Sequence, residues 1–105
     1  MKKQGYLYWG NITDIPRISG KRPFLVLSNN EMNQYSVIVA PLRSFQSSIK
    51  TNIPISSEKY PLKDGIIALG EITTIQSNYL EEEICELRDE EFNQVKEILK
   101  TLFSL

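Results

Sequence analysis

The sequence predicts a mainly β domain, a small curved sheet or barrel with one C-terminal helix. Three observations carry this. Short runs rich in β-branched and aromatic residues recur between Gln4 and Ile75. Polar stretches bearing Gly, Pro, Asn and Ser separate them. Only the last segment, Asp89 to Phe103, spaces its apolar residues at three- and four-residue steps. A chain of 105 residues suits a single domain, residues 1–105, with one modest core.

Gln4 to Ile12 is rich in aromatics and partly alternating, as a first strand would be, with Gly5 and Gly10 marking bulges or tight bends. Thr13 to Gly20 has loop composition and contains Arg17. Pro23 to Ser28 gives a second strand, with the proline at its first residue. Asn29 to Glu31 gives a turn or a short helical turn. Ser36 to Leu42 gives a third strand, apolar on both faces at Val37-Ile38-Val39 and therefore central, with Pro41 ending regular pairing. Asn52 to Ile55 is short, and Pro54 points to an edge. Ile66 to Ile75 reads as the longest strand, bent near Gly70, followed by a helical turn over Gln76 to Tyr79. Glu83 to Leu87 suits either a last short strand or the start of a helix. In the terminal helix Phe92, Val95, Ile98/Leu99 and Leu102 make one apolar stripe. Asp89, Glu90 and Glu91 crowd its N-terminus, where the helix dipole favours negative charge.

Composition removes several kinds of chemistry. The chain has no histidine, which excludes His-based triads, His general bases and His metal ligands. One cysteine, Cys85, permits no intrachain disulfide and suits a reducing cytoplasm. Cys85 with scattered carboxylates makes no zinc site, so no metal or cofactor is expected. No apolar run approaches the roughly 18 residues of a membrane span, so no membrane partner is expected either. The net charge of −1 hides an asymmetry. Residues 1–78 hold nine Lys/Arg against five Asp/Glu, and residues 79–105 hold three against eight. Such a division can leave one basic face on a nearly neutral protein, or simply mark a solvated acidic helix.

The stretch with most chemical promise is Gly20-Lys21-Arg22-Pro23-Phe24-Leu25-Val26-Leu27-Ser28. A residue before proline is pushed towards extended geometry, which roots Arg22 at a strand mouth. A guanidinium held there suits a phosphate, although Lys21 and Arg22 would serve equally as solvated charges at a strand start. Trp9, Tyr6 and Tyr8 are suited to base stacking or, more simply, to the core.

That stretch resembles the Arg-Pro motif of the MazF/PemK/Kid toxins. Val37-Ile38-Val39-Ala40-Pro41-Leu42 is similar to their third strand, the run from Gly65 to Ile75 to their long strand, and Leu87-Arg88-Asp89-Glu90-Glu91-Phe92 to the opening of their terminal helix. The ordered set, more than any one motif, carries the likeness. It implies a small SH3-like barrel of the CcdB/PemK type and a homodimer. It implies a toxin of a type II toxin–antitoxin system: a metal-independent, sequence-specific endoribonuclease cutting single-stranded mRNA through the substrate's own 2′-hydroxyl. A cognate antitoxin peptide would occupy the same groove. By position, Arg22 matches the catalytic arginine and Ser44 is the candidate second catalytic group. RNA contact would extend over Arg17, Lys21, Arg43, Ser47, Thr73 and Gln76.

The chain also departs from the family. Arg43 stands where a Thr or Ser is usual, with Ser44 following. Glu71-Ile72-Thr73-Thr74-Ile75-Gln76 stands where the family reads Gln-x-Arg-Thr-x-Asp, so a cation and a carboxylate are missing. Glu71 would repel phosphate if it lined the groove, and Arg43 would then supply the charge lost at Thr73. The same departures support an alternative reading, a binding module on this fold that holds RNA, or inhibits a protein such as DNA gyrase, without cleaving.

Overall fold

The computed structural model describes residues 1–45 and 48–105. Seven strands form one curved, unclosed antiparallel sheet: β1 (Tyr6–Ile12), β2 (Gly20–Val26), β3 (Ser36–Arg43), β4 (Asn52–Ile55), β5 (Gly65–Ala68), β6 (Thr73–Gln76) and β7 (Leu80–Glu86). One helix, α1 (Asp89–Leu102), ends the chain. The order across the sheet is β4-β5-β3-β2-β1-β7, and β6 also pairs with β3. The Val-Ile-Val strand is therefore central, and the Pro54 strand β4 is an edge.

Two prolines lie inside strands where the sequence places them at the ends. Pro23 sits three residues into β2, opposite Trp9 of β1. β3 joins β2 only from Phe24 onward, so beside Pro23 one edge of β2 is unpaired and the absent N–H costs no ladder bond. Pro41 does not end β3 but pairs with Phe24. On the opposite edge of β3, β6 pairs up to Val39 and β5 pairs from Leu42. Pro41 thus falls in the gap between two neighbours, where a missing donor is again tolerated.

The single long strand expected over Ile66 to Ile75 divides into β5 and β6 around a 3₁₀ turn, Leu69–Glu71. Both halves pair with β3, so the turn bends the sheet without changing strand order. β7 begins at Leu80, three residues before the expected segment, and is a strand, not the start of α1. Its pairing with β1 carries register shifts between Leu7 and Gly10. Gly10 lies under Phe24, where a Cβ would come within 2.8 Å of the ring, so this glycine serves close packing.

The core has two parts. Leu7, Leu25, Ala40, Leu42, Ile53, Ile67, Leu69 and Val95 form the part under α1. Tyr8, Ile12, Phe24, Val26, Val37, Val39 and Ile75 form the other. The predicted helix stripe is only partly used. Val95 is buried and Phe92, Ile98 and Leu99 pack partly against the core, but Leu102 is exposed.

Glu91, expected only as a favourable charge at the helix start, is buried. The Tyr60 hydroxyl donates to one of its oxygens, Lys59 Nζ lies 3.5 Å from the other, and the Arg88 backbone N–H donates to the Tyr60 oxygen at 3.0 Å. Burial, reinforced by the Glu91 carboxylate, pushes the Tyr60 pKa up to about 12 from 10.0. The stabilisation is complete below pH 10 and is lost as pH rises through about 12. Tyr60→Phe should therefore flatten the alkaline fall in stability over that window, a difference of about 3 kcal/mol in urea unfolding. Gly65 faces the Arg43 carbonyl oxygen, which a Cβ would approach to 2.0 Å. Gly65→Ala should cost about 1–3 kcal/mol in the same measurement, since backbone cannot yield as a side-chain tip can.

Candidate active site

The register of β2 against β3 runs Phe24↔Pro41, Leu25↔Ala40, Val26↔Val39. Carrying it two residues further brings Arg22 to the level of Arg43. Both side chains line one open groove with Ser44, Trp9, Lys21 and Lys63. The wall opposite comes from the segment between β4 and β5, through Ser57, Tyr60, Pro61 and Asp64. The groove holds about 1210 Å³. That exceeds the roughly 300–1,000 Å³ of a small-molecule pocket and suits a polymer better.

Arg22 lies within a strand, firmly placed. Its Nη2 donates to the Ser19 carbonyl at 2.9 Å, while its Nε is buried without a hydrogen-bond partner. Burial, then the neighbouring Arg43 charge, lowers its pKa, and Glu71 opposes them; an arginine stays charged throughout. A fixed cation lining an open groove is suited to an anion.

Lys21 stands over the Trp9 ring, 5.7 Å from its centroid. Trp9 is half-buried and lines the groove, while Tyr8 is core. Of the β1 aromatics, Tyr8 is therefore core and Trp9 is at the groove.

Arg43 is held at once by Glu71 and by Arg17. Its Nε donates to Glu71 Oε2 at 3.0 Å, its Nη2 donates to Glu71 Oε1, and the same Nη2 donates to the Arg17 carbonyl at 2.8 Å. Arg17 Nη2 lies 3.8 Å from Glu71 Oε1. The hydrogen bonds from Arg43 hold the Glu71 carboxyl below the ordinary carboxylate range, against the effect of burial. Glu71 is not among the groove residues, and its charge is offset by Arg43 and Arg17. Glu71 sits at the β5–β6 turn, which the sequence showed only as a bend near Gly70, so its reach back to Arg43 was not legible.

The remaining expected contacts are dispersed. Arg17 is exposed and acts on Glu71 instead of lining the groove. Thr73 pairs with Val39 and Gln76 with Ser36 on β6, and neither is among the groove residues. Ser47 lies outside the described residues. Tyr60, Lys63 and Asp64 line the groove without having been singled out, because polar loop composition alone gives no direction to a side chain.

Comparison with known proteins gives the family and the fold. Residues 3–103 match the family described as PemK-like, MazF-like toxin of type II toxin–antitoxin system. A protein named Endoribonuclease MazF from Staphylococcus saprophyticus is 32% identical over 102 residues, covering 90% of this chain and 85% of that one. A mycobacterial endoribonuclease in complex with its cognate antitoxin superposes with a TM-score of 0.85 at 22% identity, over 100% of this chain and 97% of the other. A MazE–MazF structure from Deinococcus radiodurans gives 0.83 at 20% identity, over 99% and 97%. At those identities the two structures speak for the fold. With an arginine-lined groove at the C-terminal end of its central strand, and with the match running almost end to end, the chain belongs to the PemK-like, MazF-like toxins of type II toxin–antitoxin systems.

Proposed function

We propose that the protein cuts single-stranded RNA as a metal-independent, sequence-specific endoribonuclease. One observation carries the reading: Arg22, Arg43 and Ser44 share a single groove. Such a groove offers cations to the RNA backbone and, through Trp9, an aromatic face to a base. The 2′-hydroxyl beside the scissile phosphate attacks phosphorus and loses its proton to water. The P–O5′ bond breaks, leaving a 2′,3′-cyclic phosphate and a 5′-hydroxyl once the departing oxygen takes a proton. Because the nucleophile belongs to the substrate, the protein supplies position and charge. Arg22 stabilises the added negative charge on the phosphorane and the leaving oxygen. Ser44 donates a hydrogen bond to a phosphate oxygen. DNA lacks the attacking hydroxyl and would bind without being cut.

A cognate antitoxin peptide fits the same groove, as a competitor for its cations. A homodimer is supported by the exposed apolar side chains of Leu102, Phe103 and Leu105 at the chain's end. Action in the cytoplasm follows from an mRNA substrate. No helix among the described residues is long and apolar enough to cross a membrane.

Purified protein incubated with a long single-stranded RNA in EDTA should give fragments ending in cyclic phosphate, and intact RNA in that lane would end the proposal. Arg22→Ala should lower the rate at least about a hundredfold with unchanged thermal unfolding, the scale of losing an electrostatic donor to the transition state. Arg22→Lys should rescue little of it, since an ammonium lacks the planar fork. Ser44→Ala should cost about tenfold, one net hydrogen bond.

A further inference from the structure

Arg43 is bound along only one side. Its Nε and Nη2 are committed to Glu71 and to the Arg17 carbonyl, while Nη1 has no hydrogen bond among the described residues. This half-satisfied guanidinium lines the groove that Arg22 also lines. A pair acting only as a staple between β3 and the β5–β6 turn would not need to hold a half-satisfied guanidinium at that groove. The two cations repel one another. Glu71 offsets that repulsion and fixes one geometry for a side chain that would otherwise sample many.

We propose that Glu71 is a positioning residue: it locks Arg43 so that Arg43 and Arg22 grip one substrate phosphate between them. This rests on the ribonuclease reading above. Arg22 and the clamped fork of Arg43 line the same groove, so the phosphate meets two guanidiniums already in place. Preorganised charge acts mainly on the transition state, so loss of the clamp should appear in kcat more than in KM.

The test compares Arg43→Gln, Glu71→Gln and the charge-swapped double variant Arg43→Glu/Glu71→Arg with wild type. Three measurements are made on each: thermal unfolding, kcat and KM on single-stranded RNA in EDTA, and binding of a single-stranded DNA oligonucleotide against salt. Trp9, the chain's one tryptophan and a groove residue, reports binding by fluorescence. Glu71→Gln should lower kcat about tenfold or more, with DNA binding retained or tightened because a negative charge is gone. Arg43→Gln should weaken DNA binding and reduce the salt slope by about 0.7, the single-strand value for one phosphate contact. The double variant should recover thermal stability without recovering cleavage. Cleavage at the wild-type rate by the double variant or by Glu71→Gln would overturn the proposal and leave the pair a structural staple. Wild type that cuts no RNA, but whose DNA binding depends on Arg43 as described, would overturn the ribonuclease reading and support the grip.

Discussion

Strand β3 has to satisfy its backbone along both edges, and the molecule is built around how it does so. One edge takes β2. The other takes β6 and then β5, with a gap at Pro41 where no donor is required. A continuous partner on that edge would keep the sheet flatter and leave Pro41 in conflict with it. Two short partners separated by a turn let the sheet curve, and curvature makes the groove. The same arrangement delivers Arg22 from β2 and Arg43 from β3 to one mouth, because antiparallel register fixes which residues share a level.

Charge at that mouth is balanced locally. Arginines 17, 22 and 43 all act on the Glu71 carboxylate. Three guanidiniums without it would repel one another and draw in counterions. With it, the excess positive charge is directed towards the groove. Folding and binding therefore draw on the same residues, and the stability of the mouth depends on an ion pair that is mostly buried and only partly open to solvent screening.

Most strands were legible because their signals are local. Val37-Ile38-Val39 is apolar on both faces and lies centrally; Pro54 marks an edge strand; the stripe through Phe92 and Val95 forms the helix. Arg22 and Ser44 were identified by likeness to a family, and the structure sets them in one groove. What stayed hidden depends on partners distant in sequence. Prolines 23 and 41 look like strand ends until neighbouring strands are known to stop short of them. Glu91 looks like a solvated helix-start carboxylate until Tyr60, 31 residues away, is seen to bond to it. Asn33, fully buried in a polar turn, donates to the carbonyls of Lys2 and Ser28, a role no local pattern announces. Thr73 and Gln76 were assigned to RNA by family resemblance alone; on β6 they pair with Val39 and Ser36 of β3 and are not among the groove residues.

The bond between Arg43 and Glu71 also constrains how this lineage can change. The dependence is unequal: loss of Arg43 leaves Glu71 with Arg17 and Arg22, whereas loss of Glu71 leaves Arg43 without its carboxylate. Change at Glu71 is therefore the more disruptive of the two. A chimera that took β3 from this chain and a β5–β6 turn lacking the carboxylate from another would leave Arg43 unheld.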